Sequence, residues 1–166
     1  IFTLSARADG SSKFGKNNHY GYFPSASFAW RMSEEPFIKK IAFINELKLR
    51  ASYGITGNDG ISDFASLGLY GGGYNYGGES GTAPTQLPNP DLKWESTSQT
   101  NLGFDLSVAK SRVNLTADFY YNYTKDLLLN RPIPASSGFY TISSNIGTME
   151  NKGVELLLNT TNIDKE

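Results

Sequence analysis

Six stretches of the chain alternate apolar and polar residues at every second position, the spacing that gives a β-strand one greasy face and one wet face. The first runs over about residues 1 to 9, with Phe2, Leu4, Ala6 and Ala8 against Thr3, Ser5, Arg7 and Asp9. The second, about 20 to 32, sets Ala26, Phe28, Trp30 and Met32 against Ser25, Ser27 and Arg31. The third, about 46 to 57, sets Leu47, Leu49, Ala51, Tyr53 and Ile55 against Lys48, Arg50, Ser52 and Thr56. In the fourth, about 93 to 108, Leu102, Phe104, Leu106 and Val108 oppose Glu95, Thr97, Gln99, Asn101 and Asp105. The fifth, about 112 to 128, is the most regular, placing Val113, Leu115, Ala117, Phe119, Tyr121 and Tyr123 opposite Asn114, Thr116, Asp118, Tyr120, Asn122 and Thr124. The sixth, about 143 to 161, shows Val154, Leu156 and Leu158 opposite Glu155 and Asn159.

Most of these stretches reach the ~10 residues that a tilted strand needs to cross a bilayer, against ~5 to 6 for an average soluble strand. Connection lengths alternate as well. Ala109 to Ser111 is a tight turn, whereas 10 to 19, 58 to 92 and 129 to 142 are long and rich in Gly, Pro, Ser and Asn. Short turns on the periplasmic side and long loops outside are the habit of outer-membrane barrels, so the long connections are assigned to the cell exterior. Ser33 to Asn45 is the exception: Phe37, Ile41 and Ile44 follow Pro36 at helical spacing and predict a short helix. Tyr20, Tyr22, Phe23, Trp30, Trp94, Tyr121, Tyr123, Phe139 and Tyr140 gather near strand ends, where a barrel carries its aromatic girdles. Periodicity alone leaves a second reading open, a soluble β-sandwich whose core those rings would fill.

Composition narrows the choice of function. Hydrophobic residues make up 39% and aromatic residues 13%, while 15 basic and 16 acidic side chains leave a formal charge of -1. Such a balance offers no field to draw nucleic acid or anionic lipid, so nucleic acid is excluded as a partner. The chain has no cysteine, which removes disulfides and thiolate metal sites. No run of 18 apolar residues exists for a transmembrane helix, and Ile1-Phe2-Thr3 lacks the regions of a signal peptide. The chain opens inside a strand pattern and stops at Asp164-Lys165-Glu166, so it reads as a section of a longer protein.

Several stretches carry a resemblance. They are Arg7-Ala8-Asp9-Gly10-Ser11-Ser12-Lys13-Phe14-Gly15, Tyr22-Phe23-Pro24-Ser25 running to Trp30-Arg31, and the run from Ile44 through Tyr53-Gly54-Ile55-Thr56-Gly57-Asn58. Further on come Pro88-Asn89-Pro90-Asp91-Leu92-Lys93-Trp94-Glu95, Thr124-Lys125-Asp126-Leu127-Leu128-Leu129, and the run from Asn145-Ile146-Gly147 to Gly153-Val154-Glu155-Leu156. In this order, over nearly the whole chain, they resemble the C-terminal barrel of the SusC/RagA group of TonB-dependent transporters. The resemblance implies an all-β fold, an antiparallel up-and-down transmembrane barrel of about 22 strands to which residues 1–166 supply about six. It implies an N-terminal plug, which this chain lacks along with the terminal strands, energy from the TonB complex through the absent N-terminal region, and a SusD-like lipoprotein cap. It further implies a Gram-negative outer-membrane location in contact with lipid, and import of oligosaccharides or peptides with no cofactor and no catalytic residue.

Candidate sites are few. Gly68 to Gly81 holds seven glycines in fourteen residues, interleaved with Tyr70, Tyr74, Asn75 and Tyr76. Without a Lys-Ser/Thr after the glycines it is no phosphate loop. It reads either as a flexible outer loop or as a contact for substrate or partner, with rings stacking and Asn75 hydrogen-bonding. His19 stands alone and cannot complete a zinc site. Asn58-Asp59-Gly60 with Asp63 misses calcium-loop spacing and reads as a turn, as does Asn89-Pro90-Asp91, while Gly147 and Gly153 suggest curvature or a bulge. Glu95, Asp105, Asp118 and Glu155 fall on the wet faces as charged lining. The competing functions from other classes are a secreted carbohydrate-binding β-sandwich and a glycoside hydrolase fragment, the latter supported only by these scattered carboxylates.

Overall fold

Strands with one apolar and one polar face can be satisfied by a single sheet lying between two different solvents, and that is what the chain builds. The computed structural model describes residues 1–163, so Asp164-Lys165-Glu166 lie outside the described residues, as does the side chain of Tyr76. The strands are β1 (Phe2–Gly10), β2 (Tyr20–Arg31), β3 (Ile44–Asn58), β4 (Leu69–Tyr76), β5 (Glu79–Gln86), β6 (Glu95–Val108), β7 (Val113–Lys125), β8 (Leu128–Pro132), β9 (Thr141–Asn145) and β10 (Thr148–Thr160). Six of them form one open sheet in the order β1-β2-β3-β6-β7-β10, and β4-β5 and β8-β9 are separate hairpins inserted in its connections. Every pairing is antiparallel.

Register sorts the side chains into rows across the sheet. Phe2, Phe28, Ala51, Leu102, Phe119 and Val154 form one row on the apolar face. Leu49, Phe104, Ala117 and Leu156 form the next row on that face. None of this band is covered by a second layer: Leu102 is 51% exposed and Leu156 71%. The apolar face expected of Leu102, Phe104, Leu115, Ala117 and Leu156 is thus present, and among the described residues no second sheet closes over it.

Breaks in the ladders have local causes. Two positive-φ residues, Asp126 (φ 59) and Gly147 (φ 79), lie between β7 and β8 and between β9 and β10. They turn what the periodicity presented as two long strands, 112 to 128 and 143 to 161, out of the sheet into the β8-β9 hairpin. The β2-β3 ladder stops at Ser25↔Gly54 although both strands run on. Ala29 and Ile1 exchange both backbone hydrogen bonds, at 2.9 and 2.8 Å. In a regular ladder that aims odd residues of β2 at β1 and even ones at β3. Pro24, with no N–H to give, therefore falls on the β3 side just where pairing ends.

At the short-turn end the helix is only α1 (Pro36–Lys39), with Pro36 in its first turn. Ile41 and Ile44 lie beyond it, and Ile44 opens β3, so the helical spacing outran the helix. Ala109, Lys110 and Ser111 take three successive left-handed conformations (φ 54, 56 and 62), held from outside by the Asn45 Oδ1, which accepts the Ser111 N–H at 3.0 Å.

Candidate functional site

The long connections converge on the other end of the sheet, and there the molecule has its buried core. Phe14 (1% exposed), Leu92 (0%) and Ala65 (2%) pack with Ile61, Trp94 and Leu128. Side-chain amides fasten the surrounding loops to one another's backbones. Asn89 Nδ2 donates to the Ser143 carbonyl at 2.8 Å, and Asn145 Nδ2 donates to the carbonyls of Lys93 and Asp126 at 2.8 and 2.9 Å. Asn145 Oδ1 in turn accepts the Lys93 N–H at 2.9 Å. Glu95 accepts from Asn58 Nδ2 at 3.1 Å with one oxygen and from the Leu128 N–H at 3.0 Å with the other, so it is a strap between loops rather than free lining. Gly15 donates its N–H to Leu92 O at 2.9 Å, and a Cβ there would stand 1.6 Å from Pro90 O, which leaves room for no side chain. The run Pro88 to Glu95 is therefore the hub of a platform. Sequence reading took it for a turn, which it is, with Asn89 Oδ1 accepting the Asp91 N–H at 3.2 Å, but missed the hub; the signal was a Leu-Lys-Trp sequence too apolar for a solvated loop.

Phe23 and Trp94 correct the girdle assignment. Phe23 is 8% exposed and meets Trp94 edge-on at 5.4 Å, while Trp94 stacks at a tilt on Phe14 at 5.1 Å. The Phe23 ring fills the gap above Pro24, occupying the space where a Cβ on Gly57 or Gly21 would lie. Phe139 and Tyr140 also leave the girdle, because they sit between β8 and β9 in the projecting hairpin. Tyr20 and Tyr22 remain exposed at the loop end and Trp30 at the turn end, where its Nε1 donates to Glu35 Oε1 at 3.0 Å.

The glycine-rich segment is a hairpin rather than a shapeless loop. Gly77 (φ 63) and Gly78 (φ 95) form a two-residue turn with both centres left-handed, the geometry that a Gly-Gly dipeptide between strands favours. Asn75 Oδ1 accepts the Gly78 N–H at 2.8 Å, so this amide already serves the turn with one of its ends. β4 carries one extra residue between Gly71 and Tyr74, which reverses the alternation and places Tyr70 and Tyr74 on opposite faces. Both are solvent-facing, Tyr70 at 76% and Tyr74 at 49%.

The polar face of the sheet is zoned. Toward the short turns it is charged: Arg50 bonds Asp105 through Nε at 2.9 Å and Nη2 at 3.1 Å, and Asp118 through Nη2 at 2.9 Å. Gly103 lies in the same row between Arg50 and Asp118, and a Cβ on it would meet Arg50 Cζ at 2.6 Å, so the missing side chain is what lets the guanidinium cross. Toward the loops the rows are uncharged from β2 to β10. One row reads Ser27, Ser52, Asn101, Tyr120, Gly153 and the next Ser25, Gly54, Gln99, Asn122, Asn151. Gly153 makes no bulge, since the β7-β10 register is unbroken; it makes room for Tyr120. Asn58 Oδ1 accepts the Gly60 N–H at 2.9 Å, a turn as expected, and among the described residues no group of three metal-binding side chains occurs.

A sheet with a bare apolar face, a polar inner face and strands of 9 to 15 residues is a piece of a transmembrane β-barrel wall. Residues 1–163 match the family described as TonB dependent receptor-like, beta-barrel, and the chain belongs to that family. It is 52% identical over 156 residues to a TonB-dependent receptor of Formosa agariphila, covering 94% of the chain and 15% of that protein. With the TonB-dependent receptor SusC of Bacteroides thetaiotaomicron it shares 38% identity over 167 residues, 96% of the chain and 17% of SusC. The solved RagAB peptide importer in its closed-closed state superimposes with a TM-score of 0.91 at 33% identity, over 99% of this chain and 18% of that one. Its open-open state gives a TM-score of 0.87. The chain thus spans less than a fifth of the length of these relatives, which are receptors and an importer, and TonB-dependent receptors are outer-membrane proteins of Gram-negative bacteria.

Proposed function

We propose that the chain is a wall section of a TonB-energised outer-membrane importer of oligosaccharides or peptides, working beneath a SusD-like lipoprotein cap. The observation that carries this is the two-solvent sheet itself, whose apolar rows suit lipid and whose polar rows suit a wide aqueous lumen. Likeness to SusC and to the RagAB peptide importer supports the cap and the cargo. In this reading residues 58 to 92 face the exterior and Ala109 to Ser111 the periplasm, and residues 1–166 belong to the C-terminal barrel domain, the plug lying elsewhere in the whole protein. Tyr70, Tyr74, Asn75 and Tyr76 touch substrate or cap from the β4-β5 hairpin, and because Tyr70 and Tyr74 face opposite ways, one serves each.

Replacing Tyr70, Tyr74 and Tyr76 together by alanine in the full-length transporter should weaken uptake or cap affinity about 10-fold. Cells carrying the wild-type transporter should take up a labelled oligosaccharide or peptide mixture, and lose that uptake when TonB is removed. TonB-independent uptake, or none, sinks the importer reading.

A further inference from the structure

The loop-side rows of the inner face hold polar groups that the wall itself does not use. In the platform, Asn58, Asn89 and Asn145 have their amides committed to other loops. On the wall, side-chain hydrogen bonds join Thr97 to Thr124 and Asn101 to Ser52, and among the described residues none reaches the side chains of Gln99, Asn122 or Asn151. The Oδ1 of Asn122 is enclosed without any partner, so that amide gains by turning toward an incoming donor. Gln99, Asn122 and Asn151 stand in one row on three neighbouring strands, roughly 4.8 Å apart.

Beside them lies a ring set flat. A Cβ on Gly153 would be 2.6 Å from Tyr120 Oη, 2.7 Å from Cζ and 2.9 Å from Cε1. Three near-equal distances mean that Gly153 lies under the face of the ring rather than at its edge. The hydroxyl end of Tyr120 thus lies over Gly153 on the wall, and the side chain is half-buried rather than enclosed. The next row toward the short turns carries two carboxylates, Asp118, which is taken up by Arg50 at 2.9 Å, and Glu155 opposite it, which stands outside the rows of the amides and the ring. A trough of about 480 Å³ continues the uncharged surface across Ser25, Ser27, Ser52, Thr56, Gln99 and Asn101, and also meets Arg7 and Asp9, which are paired with each other at 3.0 Å.

We propose that Tyr120, with Gln99, Asn122 and Asn151, is a binding site for an uncharged oligosaccharide on the inner wall. The inference rests on the importer reading and narrows its cargo. A flat aromatic face receives the C–H face of a sugar ring. Carboxamides present a donor and an acceptor side by side, which matches neighbouring hydroxyls. No fixed charge in these rows selects for or against an ionic ligand.

The test is titration of the purified full-length transporter with maltoheptaose, laminariheptaose and mannoheptaose, and with a neutral blocked decapeptide. At least one sugar should bind, and Tyr120→Leu with Asn122→Ala should weaken it about 10-fold or more, whereas Tyr120→Phe should keep the affinity within about 3-fold. Gly153→Ala, which lifts the ring without removing it, should weaken binding as well and covers the case in which the double variant fails to fold. Binding of no sugar to the wild type, unchanged sugar affinity in the variants, or the decapeptide bound at these residues in place of a sugar would each overturn the site. TonB-dependent uptake is measured in parallel: a wild type that imports while its ligand ignores Tyr120 and Asn122 defeats this site alone, and a wild type that imports nothing defeats the importer reading.

Discussion

The six-stranded sheet and the loop platform bury apolar side chains in opposite ways. In the platform, Phe14 and Leu92 are shut off from solvent as in any soluble domain, and amides of Asn89 and Asn145 satisfy the loop carbonyls around them. In the sheet, Leu102, Val154, Leu156 and Leu158 stand bare on one face. The hydrophobic effect in water can order the platform, but for the sheet it works only when lipid takes the place of water on the outer face. Two stabilising media therefore act on one chain, and the same kind of substitution should read out differently in each.

The largest effect expected is in the platform. Leu92→Ala leaves a cavity at a fully buried position and should cost about 2–5 kcal/mol locally. Hydrogen exchange on the full-length protein in detergent should show loss of protection at residues 88 to 94 with the ladders of β6 and β7 unchanged; loss along those ladders too would show that platform and sheet are one cooperative unit. Leu102→Arg tests the other medium and should cost about 2–4 kcal/mol, read by urea titration in lipid vesicles. Asn101→Arg, one residue away on the inner face, should cost about 1 kcal/mol or less, and equal costs at both positions would remove the distinction between the faces. The smallest effect concerns the turn end, where Lys39 Nζ bonds Glu34 Oε2 at 2.9 Å and holds that carboxyl below its ordinary range. A lowered carboxyl contributes stability that is present above its unfolded value and lost as pH falls through the folded one. Glu34→Gln should therefore lower stability slightly above the carboxylate range, leave it unchanged below the folded value, and so shrink the acid-side fall by that same small amount, small because the pair is exposed; an acid-side fall as large as in the wild type would contradict this.

Much of the fold was legible because period 2 is a local property. Val113 to Tyr123 alternate strictly, so their faces were set before any partner strand was known, and the order β6-β7 followed from the short turn at Ala109 to Ser111. The sandwich alternative shared that alternation, and the resemblance over nearly the whole chain favoured the barrel. Tyr70, Tyr74, Asn75 and Tyr76 were picked out by composition, but the extra residue in β4 that separates two of them is a feature of pairing with β5. The Gly77-Gly78 turn could have been read from the dipeptide.

What the sequence determined by itself is the division of each strand into a lipid-suited and a water-suited face, since side-chain direction along a strand needs no tertiary contact. What only the tertiary structure decided is where residues distant in the chain meet. Phe23 has the look of a girdle ring until Pro24 ends the β2-β3 ladder and the ring turns into the gap against Trp94. Gly153 has the look of a bulge until Tyr120, opposite it in β10's register with β7, lies across it. Leu92 and Phe14 belong to no alternating stretch, and their joint burial depends on loops 10 to 19, 58 to 92 and 126 to 147 arriving at one end of the sheet together. Meetings of that kind are set by register and ladder breaks across long separations, which no local period encodes.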